Sequence, residues 1–273
     1  MKILACGPYI GNFEQEVLTF RPYCKWLQKV VDHDLIYVNT HINRKFLYDF
    51  IQEDNFIPVY ENLSRDELGQ KGYIHNSIKR NNYNILLKKF KDIIIKRENC
   101  NKKEILQYNL NYIKSTPPVP IYNKYFEKIK LLDNSEIKEK IVFIPHENSN
   151  YNEIFSIYEN FKDKYDCVMI GDRTSKFPEN NILSYKIDYF ENGLKYIINY
   201  INKAKAIICP VSFWTAICNL QGVNVFSWGE RVSQYKDNGI YYFNNDKSFL
   251  IPYNEDNDMN KIILLVDGFL KEL

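Results

Sequence analysis

Polar residues that could hold a phosphate lie where predicted strands end. Ser212 comes shortly after the apolar run 206–209, at a natural N-cap position for a helix over 213–220. Backbone N–H groups at a helix start attract anions, and an arginine such as Arg173 adds a bidentate donor. In parallel sheets, ligands bind beyond the carboxyl ends of the strands. The pattern predicts a site for a diphosphate, and a plain structural βαβ unit is the alternative.

Carboxylates lie in the loop that follows the first predicted strand. Glu14 and Glu16 both belong to this loop, within the stretch 11–17. A carboxylate at a helix N-terminus stabilises the helix through the helix dipole, which is the structural role open to Glu16.

Composition and the absence of several motifs exclude some classes of protein and of reaction. With 45% hydrophobic and 15% aromatic residues, the chain fits a globular protein rather than a disordered one. The sequence contains no Walker lysine motif, GxGxxG, HExxH or GxSxG, which removes the usual support for P-loop nucleotide hydrolysis, NAD binding and zinc hydrolysis. The six cysteines form no CxxC or Cys/His cluster, so we expect no structural zinc. Without a signal-peptide pattern or a membrane-length apolar run, we expect a cytoplasmic protein.

The elements that position these residues form two series of alternating strands and helices. Pro22 falls near the middle of the first predicted helix, 13–31, and predicts a kink or break there. The first series places strands at 2–6, 35–39 and 56–60, with a second helix at 43–53. The second series places strands at 141–145, 167–171, 182–187, 206–209 and 223–228, and helices at 151–162, 189–203 and 213–220.

A proline-rich segment at 115–120 separates the two series and is the best linker signal in the chain. We therefore predict an α/β fold with Rossmann-like domains at 1–120 and 121–256. An amphipathic helix at 257–273 follows and could pack back on the first domain. Two such domains predict a cleft between them, and clefts between domains are preferred ligand sites.

Charge is unevenly distributed along the chain. Residues 1–142 hold 23 Lys+Arg against 17 Asp+Glu, whereas the remainder holds 13 against 17. Within the first part, residues 71–105 carry ten basic residues against three acidic ones. A solvated helix face explains this pattern; the functional alternative is a surface for an anionic partner.

The second half resembles the nucleotide-sugar domain of GT-B-fold glycosyltransferases, most of all the lipopolysaccharide heptosyltransferase-like group. In that group a strand ends at a D-S-G-type turn, and a helix and a G-V-P-V…F-G strand follow. The matching stretches here are CPVSFW at 209–214 and GVNVFSWG at 222–229, with Val211 in place of the aspartate. The first loop, GNFEQEV at 11–17, is similar to a G-E-F-G-W-E-L pattern of bacterial and phage glycosyltransferases, with Asn12 in place of its first acidic residue.

The resemblance implies a metal-independent transferase that needs no cofactor beyond its nucleotide-sugar donor and acts on a hydroxyl acceptor, either a glycan or a modified nucleic-acid base. Glu16 would be the catalytic base, with Glu14 second. The alternatives are a catalytically inactive nucleotide- or sugar-binding module and a UDP-sugar epimerase of the same fold. Donor contacts are expected from Gly11, Asn12, His146, Asn148, Gly171, Arg173, Ser212, Trp214, Thr215 and Glu230, and acceptor-side contacts from Arg21 and His75. Core packing is the alternative role for Trp214, an ordinary strand-end hydrogen bond for His146, and a surface turn for Arg173.

Overall fold

The computed structural model divides the chain into two compact units. One comprises residues 1–126 and 189–191, and the other residues 127–188 and 192–273. The sequence-based boundaries at 120 and 256 remain a prediction. The described residues are 1–11, 13–59, 80–108, 125–130, 139–145, 151–172, 185–187, 193–236, 239, 246–252 and 258–273.

The described strands of the first unit form a parallel sheet. They are β1 (Ile3–Cys6), β2 (Leu35–Thr40), β3 (Phe56–Pro58) and β4 (Ile105–Tyr108). Their order in the sheet is β3-β2-β1-β4. The inner strand β1 is entirely buried because it is covered on both faces, and Ile3 pairs with Leu35 on one side and Ile105 on the other. The first three strands were predicted; β4 was not, since its four residues carry little pattern.

The predicted break at Pro22 is present as a change of helix type. The segment starts as α1 (Phe13–Gln15), widens into a π-helical turn at Glu16–Phe20 and continues as α2 (Arg21–Val30). Arg21 N–H donates to the Glu16 carbonyl, five residues back. Since proline has no N–H and its ring crowds the preceding turn, a wider turn there accommodates it.

Two further helices cover the first sheet. The helix predicted at 43–53 is instead a 3₁₀ helix, Ile42–Leu47. The three-residue period of a 3₁₀ helix places Arg44 and Leu47 on one face, and both are buried. On the sheet, α3 (Arg80–Glu98) packs Phe90 and Ile94 into a core shared with β1, β2, β3 and β4.

The second unit also contains strands and helices. They are β5 (Ile141–Phe143), α4 (Tyr151–Phe161), β6 (Cys167–Asp172), β7 (Tyr185–Ile187), α5 (Gly193–Lys203), β8 (Ala206–Pro210), α6 (Phe213–Gln221), β9 (Val225–Gly229), β10 (Ser248–Pro252) and α7 (Met259–Lys271). The strands form a parallel sheet of order β10-β9-β8-β5-β6-β7. The predicted amphipathic helix is present as α7, and its Ile262, Val266 and Leu270 lie in the core of this unit. Strand β10 was not predicted.

The predicted α/β class is confirmed, since both units are parallel sheets covered by helices. Among the described helices, none has both the length and the apolar character required to span a bilayer.

Candidate functional site

The loop after β1 is held tightly against the neighbouring strands. Gly7 has a φ of +119°, and a Cβ there would collide with the carbonyl oxygen of Asn39. Tyr9 N–H donates to the same carbonyl at 2.8 Å, and Gly7 N–H donates to the Tyr108 carbonyl at 3.0 Å. These contacts fix where the chain leaves the carboxyl end of β1.

Glu16 lies in the π-helical turn that follows this loop, with none of its surface exposed. Its Oε1 accepts hydrogen bonds from Thr40 Oγ1 at 2.6 Å and from the Tyr48 hydroxyl at 2.7 Å. Its Oε2 accepts from Arg44 Nη1 in a close ion pair. Both carboxylate oxygens are therefore bonded inside the first unit.

Arg44 connects the segment after β1 with the segment after β2. The same Nη1 that binds Glu16 also donates to the Gly11 carbonyl at 2.8 Å. Arg44 comes from the 3₁₀ helix after β2, whereas Gly11 belongs to the loop after β1. Sequence reasoning missed Thr40, Arg44 and Tyr48, because nothing local marks side chains that meet across 24 to 32 residues.

Burial and neighbouring charges shift the pKa values of Glu16, Tyr48 and His41. Burial raises the pKa of Glu16, and the positive charge of Arg44 and the hydrogen bonds from Thr40 and Tyr48 oppose that rise. Burial and then the Glu16 charge raise the pKa of Tyr48, so the phenol stays a donor. Burial and then Arg44 lower the pKa of His41 to about 4, which keeps that imidazole neutral.

The other residues predicted for the first unit have different surroundings. Arg21 is buried, and its Nε donates to the Leu47 carbonyl at 2.6 Å while its Nη2 lies 3.4 Å from Asp49 Oδ1. Glu14 lies on α1, and its side chain is outside the described part of the structure. Asn12 and His75 lie outside the described residues.

In the second unit, the turn from β8 into α6 has the predicted helix start. Ser212 Oγ accepts from Trp214 N–H at 3.3 Å, and Ser212 N–H donates to Thr215 Oγ1 at 3.2 Å, which completes a capping box. The first-turn amides of α6 therefore lie at the carboxyl end of β8. An anion placed beyond them would be favoured by the helix dipole.

A buried cluster of hydroxyl and thiol groups connects this turn to β9. Thr215 Oγ1 lies 3.0 Å from Ser227 Oγ, and Cys209 Sγ lies 3.3 Å from the same oxygen. Burial raises the pKa of Cys209 to about 11, so its thiol is neutral and not a nucleophile. The cluster joins the start of α6 to both strands.

The remaining residues predicted for the second unit are only partly described. Trp214 is buried beside Phe213, with ring centroids 4.2 Å apart. Glu230 is exposed directly after β9, and Gly171 lies within β6. His146, Asn148 and Arg173 lie outside the described residues. Over the described ranges, no three His, Cys, Asp or Glu side chains come together as metal ligands would.

Solved structures of glycosyltransferases share the fold of this chain. The E. coli ADP-heptose lipopolysaccharide heptosyltransferase II matches with a TM-score of 0.56 at 12% identity, over 100% of this chain and 99% of that one. The glycosyl transferase family 9 protein from Veillonella parvula matches with a TM-score of 0.57 at 11% identity, over 100% and 97%. The E. coli heptosyltransferase WaaC, solved with ADP, matches with a TM-score of 0.54 at 9% identity, over 100% and 99%.

The chain therefore has the fold of heptosyltransferases, and the predicted GT-B class is confirmed. The sequence itself matches no family model and no curated protein. At 9% to 12% identity the likeness concerns the fold alone.

Proposed function

We propose that this protein is a glycosyltransferase that moves a sugar from a nucleotide-sugar donor to a hydroxyl acceptor. The observation that carries the proposal is the match over the whole chain to solved glycosyltransferases. The capped start of α6 at the carboxyl end of β8 adds local support, because it suits the diphosphate of such a donor.

The second unit would bind the donor. In the transfer, the bond between the anomeric carbon and the diphosphate oxygen breaks, and its electron pair leaves with the diphosphate. The first-turn amides of α6 and the Ser212 N-cap would stabilise that charge, with Arg173 as the proposed clamp. Gly171, Thr215 and Glu230 stay proposed donor contacts. We propose that no metal or further cofactor takes part.

The first unit would supply the base. A new bond forms between the acceptor oxygen and the anomeric carbon, and the hydroxyl proton passes to a carboxylate. Glu16 remains our candidate because a buried carboxylate with a raised pKa is a stronger base than an exposed one. For this to happen, an acceptor hydroxyl must reach a buried carboxylate that already accepts hydrogen bonds from Thr40, Tyr48 and Arg44.

The three hydrogen bonds to the buried Glu16 carboxylate favour a second role, as an anchor for the loop after β1. Its ion pair with Arg44, which also binds the Gly11 carbonyl, has the connections of a structural element. The two roles predict different behaviour of variants in which Glu16 and Arg44 are replaced together.

A panel of UDP-, GDP-, ADP- and CMP-sugars tests the proposed activity. We expect one of the diphosphate donors, a UDP-, GDP- or ADP-sugar, to raise the melting temperature of the protein and to be consumed. The corresponding nucleoside monophosphate and the CMP-sugars, which lack the second phosphate, should stabilise the protein less. A well-folded protein that none of the donors stabilises would contradict the proposal. Binding without turnover would indicate a binding module, and conversion of the donor without any acceptor would indicate an epimerase.

A further inference from the structure

A cavity of about 540 Å³ lies in the first unit, between α3 and the carboxyl ends of β2 and β3. Its volume falls within the range of small-molecule sites. Asn39 lines the cavity and Thr40 binds Glu16, and consecutive residues of a strand point to opposite faces of the sheet. The cavity therefore lies on the face covered by α3, whereas the Glu16 carboxylate lies on the other face.

Most of the residues that line this cavity are apolar. They come from β3, from the residue that follows it and from α3. Their side chains offer no hydrogen bond, so a ligand with many hydroxyl groups would lose its bonds to water without replacement. The walls instead favour a ligand with an aliphatic body. The apolar lining residues are Ile57, Pro58, Val59, Leu86, Phe90 and Ile93.

Charged side chains of α3 lie at the same cavity. Lys89 and Lys96 line it and are exposed, and residues seven apart lie on one face of a helix. Asp92 lies between them and is exposed as well. Two ammonium groups against one carboxylate leave a net positive charge on this side of the cavity, which attracts an anion.

We propose that this cavity binds a free medium-chain fatty acid. The alkyl chain would contact the apolar walls, and the carboxylate would lie at the side of the cavity bordered by Lys89 and Lys96. Such an acid has no acceptor hydroxyl and lies on the face of the sheet away from Glu16, so it is neither donor nor acceptor in a transfer reaction. The inference does not require the proposed transferase activity.

Protein-observed NMR of the full chain tests the binding, with monomeric decanoate as the probe. We expect saturable binding, with shift changes confined to amides of β2, β3 and α3. From hexanoate to decanoate the affinity should rise about threefold for each methylene, because each one enters the cavity. Decyltrimethylammonium has a chain of similar length and the opposite charge, and it should bind at least about tenfold more weakly.

Lysine variants assign the carboxylate to its side of the cavity. Lys89→Gln/Lys96→Gln should weaken decanoate binding about tenfold and should not weaken binding of decyltrimethylammonium. Lys88→Gln/Lys102→Gln is the matched control, since it removes two exposed lysines that do not line the cavity. We expect this control to bind decanoate like the wild type.

A second pair of variants assigns the alkyl chain to the walls. Ile93→Ser should weaken binding of both decanoate and decyltrimethylammonium at least about threefold. Ile85→Ser makes the same substitution on α3 at a residue that is 55% exposed and does not line the cavity, and it should have no effect. The chain-length series carries this part of the test if Ile93→Ser does not fold.

Three results would overturn the inference: no saturable binding of decanoate at millimolar concentrations, an affinity that does not change with chain length, or equal binding by the Lys89/Lys96 and Lys88/Lys102 variants. Sedimentation with phosphatidylglycerol vesicles separates a free acid from a membrane surface. Vesicle binding that the Lys89/Lys96 variant loses, without saturable binding of decanoate, would also overturn it. The donor panel is a separate test: if no sugar donor is bound while decanoate binds in the cavity, the proposed transferase fails and the fatty-acid site stands.

Discussion

Glu16 and Arg44 form a buried ion pair whose partners depend on each other. Two charges removed from water repay the cost of burial only together, so the loss of one leaves the other unpaired inside the protein. Arg44 also holds the Gly11 carbonyl, which makes the pair the connection between two loops of the first unit. Glu16 is therefore the candidate both for the base and for the anchor.

Glu16→Gln and Arg44→Gln should each lower the free energy of unfolding by about 3 kcal/mol, because each leaves a buried group without its charged partner. The double variant should lose at least about 1 kcal/mol less than the sum of the two, as expected for residues in contact. Urea unfolding of the four proteins in the cycle measures this coupling. Additive losses would contradict a direct dependence of one charge on the other.

The same double variant separates the two roles of Glu16. If Glu16 is the base, the double variant folds and binds donor but transfers no sugar. If it is an anchor, the double variant recovers part of the transfer activity together with part of the stability.

His41 predicts a pH dependence of stability. Its pKa falls from 6.5 to about 4 in the folded protein, so the unfolded chain binds a proton that the folded one rejects. The neutral imidazole therefore contributes its full stability above pH 6.5, and about 3 kcal/mol is lost as the pH falls through 4.

The variant His41→Asn isolates this contribution. Asparagine can still accept from Asn43 N–H at the helix cap but does not titrate in this range. Glu16 acts with the opposite sign, since a raised pKa favours proton uptake by the folded state. The difference between the unfolding profiles of the variant and the wild type is the relevant measurement, and parallel acid limbs would contradict the expectation.

At the scale of elements, the two units differ in the turn that follows an inner strand of the sheet. After β1 the chain passes a glycine turn and a π-helical turn, which places the Glu16 carboxylate inward. After β8 the chain enters α6 through a capping box, which leaves helix amides at the sheet edge. The turn after β1 suits proton transfer or anchoring by Glu16, and the turn after β8 suits the binding of an anion.

A pair of substitutions at Ser212 tests whether the start of α6 binds the diphosphate. Asparagine and aspartate both cap helices well, so the two variants should differ in unfolding free energy by less than about 1 kcal/mol. Ser212→Asp adds a negative charge where the diphosphate is expected, and it should weaken binding of ADP, UDP or GDP at least about tenfold relative to Ser212→Asn. Calorimetric titration measures this ratio. Equal affinities would show that the diphosphate does not face the start of α6.

At the scale of the whole molecule, each unit has a core of its own. Ile262 on α7 is fully buried in the core of the second unit, whereas Leu264, two residues along, is 70% exposed. Ile262→Ala should destabilise this unit by about 3 kcal/mol, since it leaves a cavity. Leu264→Ala is the matched control and should change stability by less than about 0.5 kcal/mol.

Hydrogen exchange assigns the loss to a unit. The amides of β8 and β9 should lose protection in Ile262→Ala, and those of β1 and β2 should keep theirs. An equal loss in both sheets would contradict separate cores.

The sequence was informative where a local rule decided the structure. Pro22 predicted a break in its helix, and Ser212 predicted a capped helix start, because both act through neighbouring atoms. The segment 43–53 was predicted as an α-helix, whereas the structure has a 3₁₀ helix at Ile42–Leu47 with Arg44 and Leu47 buried, and so short a segment does not reveal its period in the sequence. The partners of Glu16 were missed because they come from another part of the chain, and whether it acts as the base stays a prediction.

The order of the strands along the chain has a consequence for biosynthesis. All four described strands of the first sheet precede residue 109, so that sheet can assemble while the ribosome is still translating the rest. The second sheet requires β10, and its core requires α7, which ends at Lys271. Nascent chains halted before α7 would therefore have a folded first sheet and a second unit whose core lacks α7, so that this unit stays accessible to chaperones and proteases.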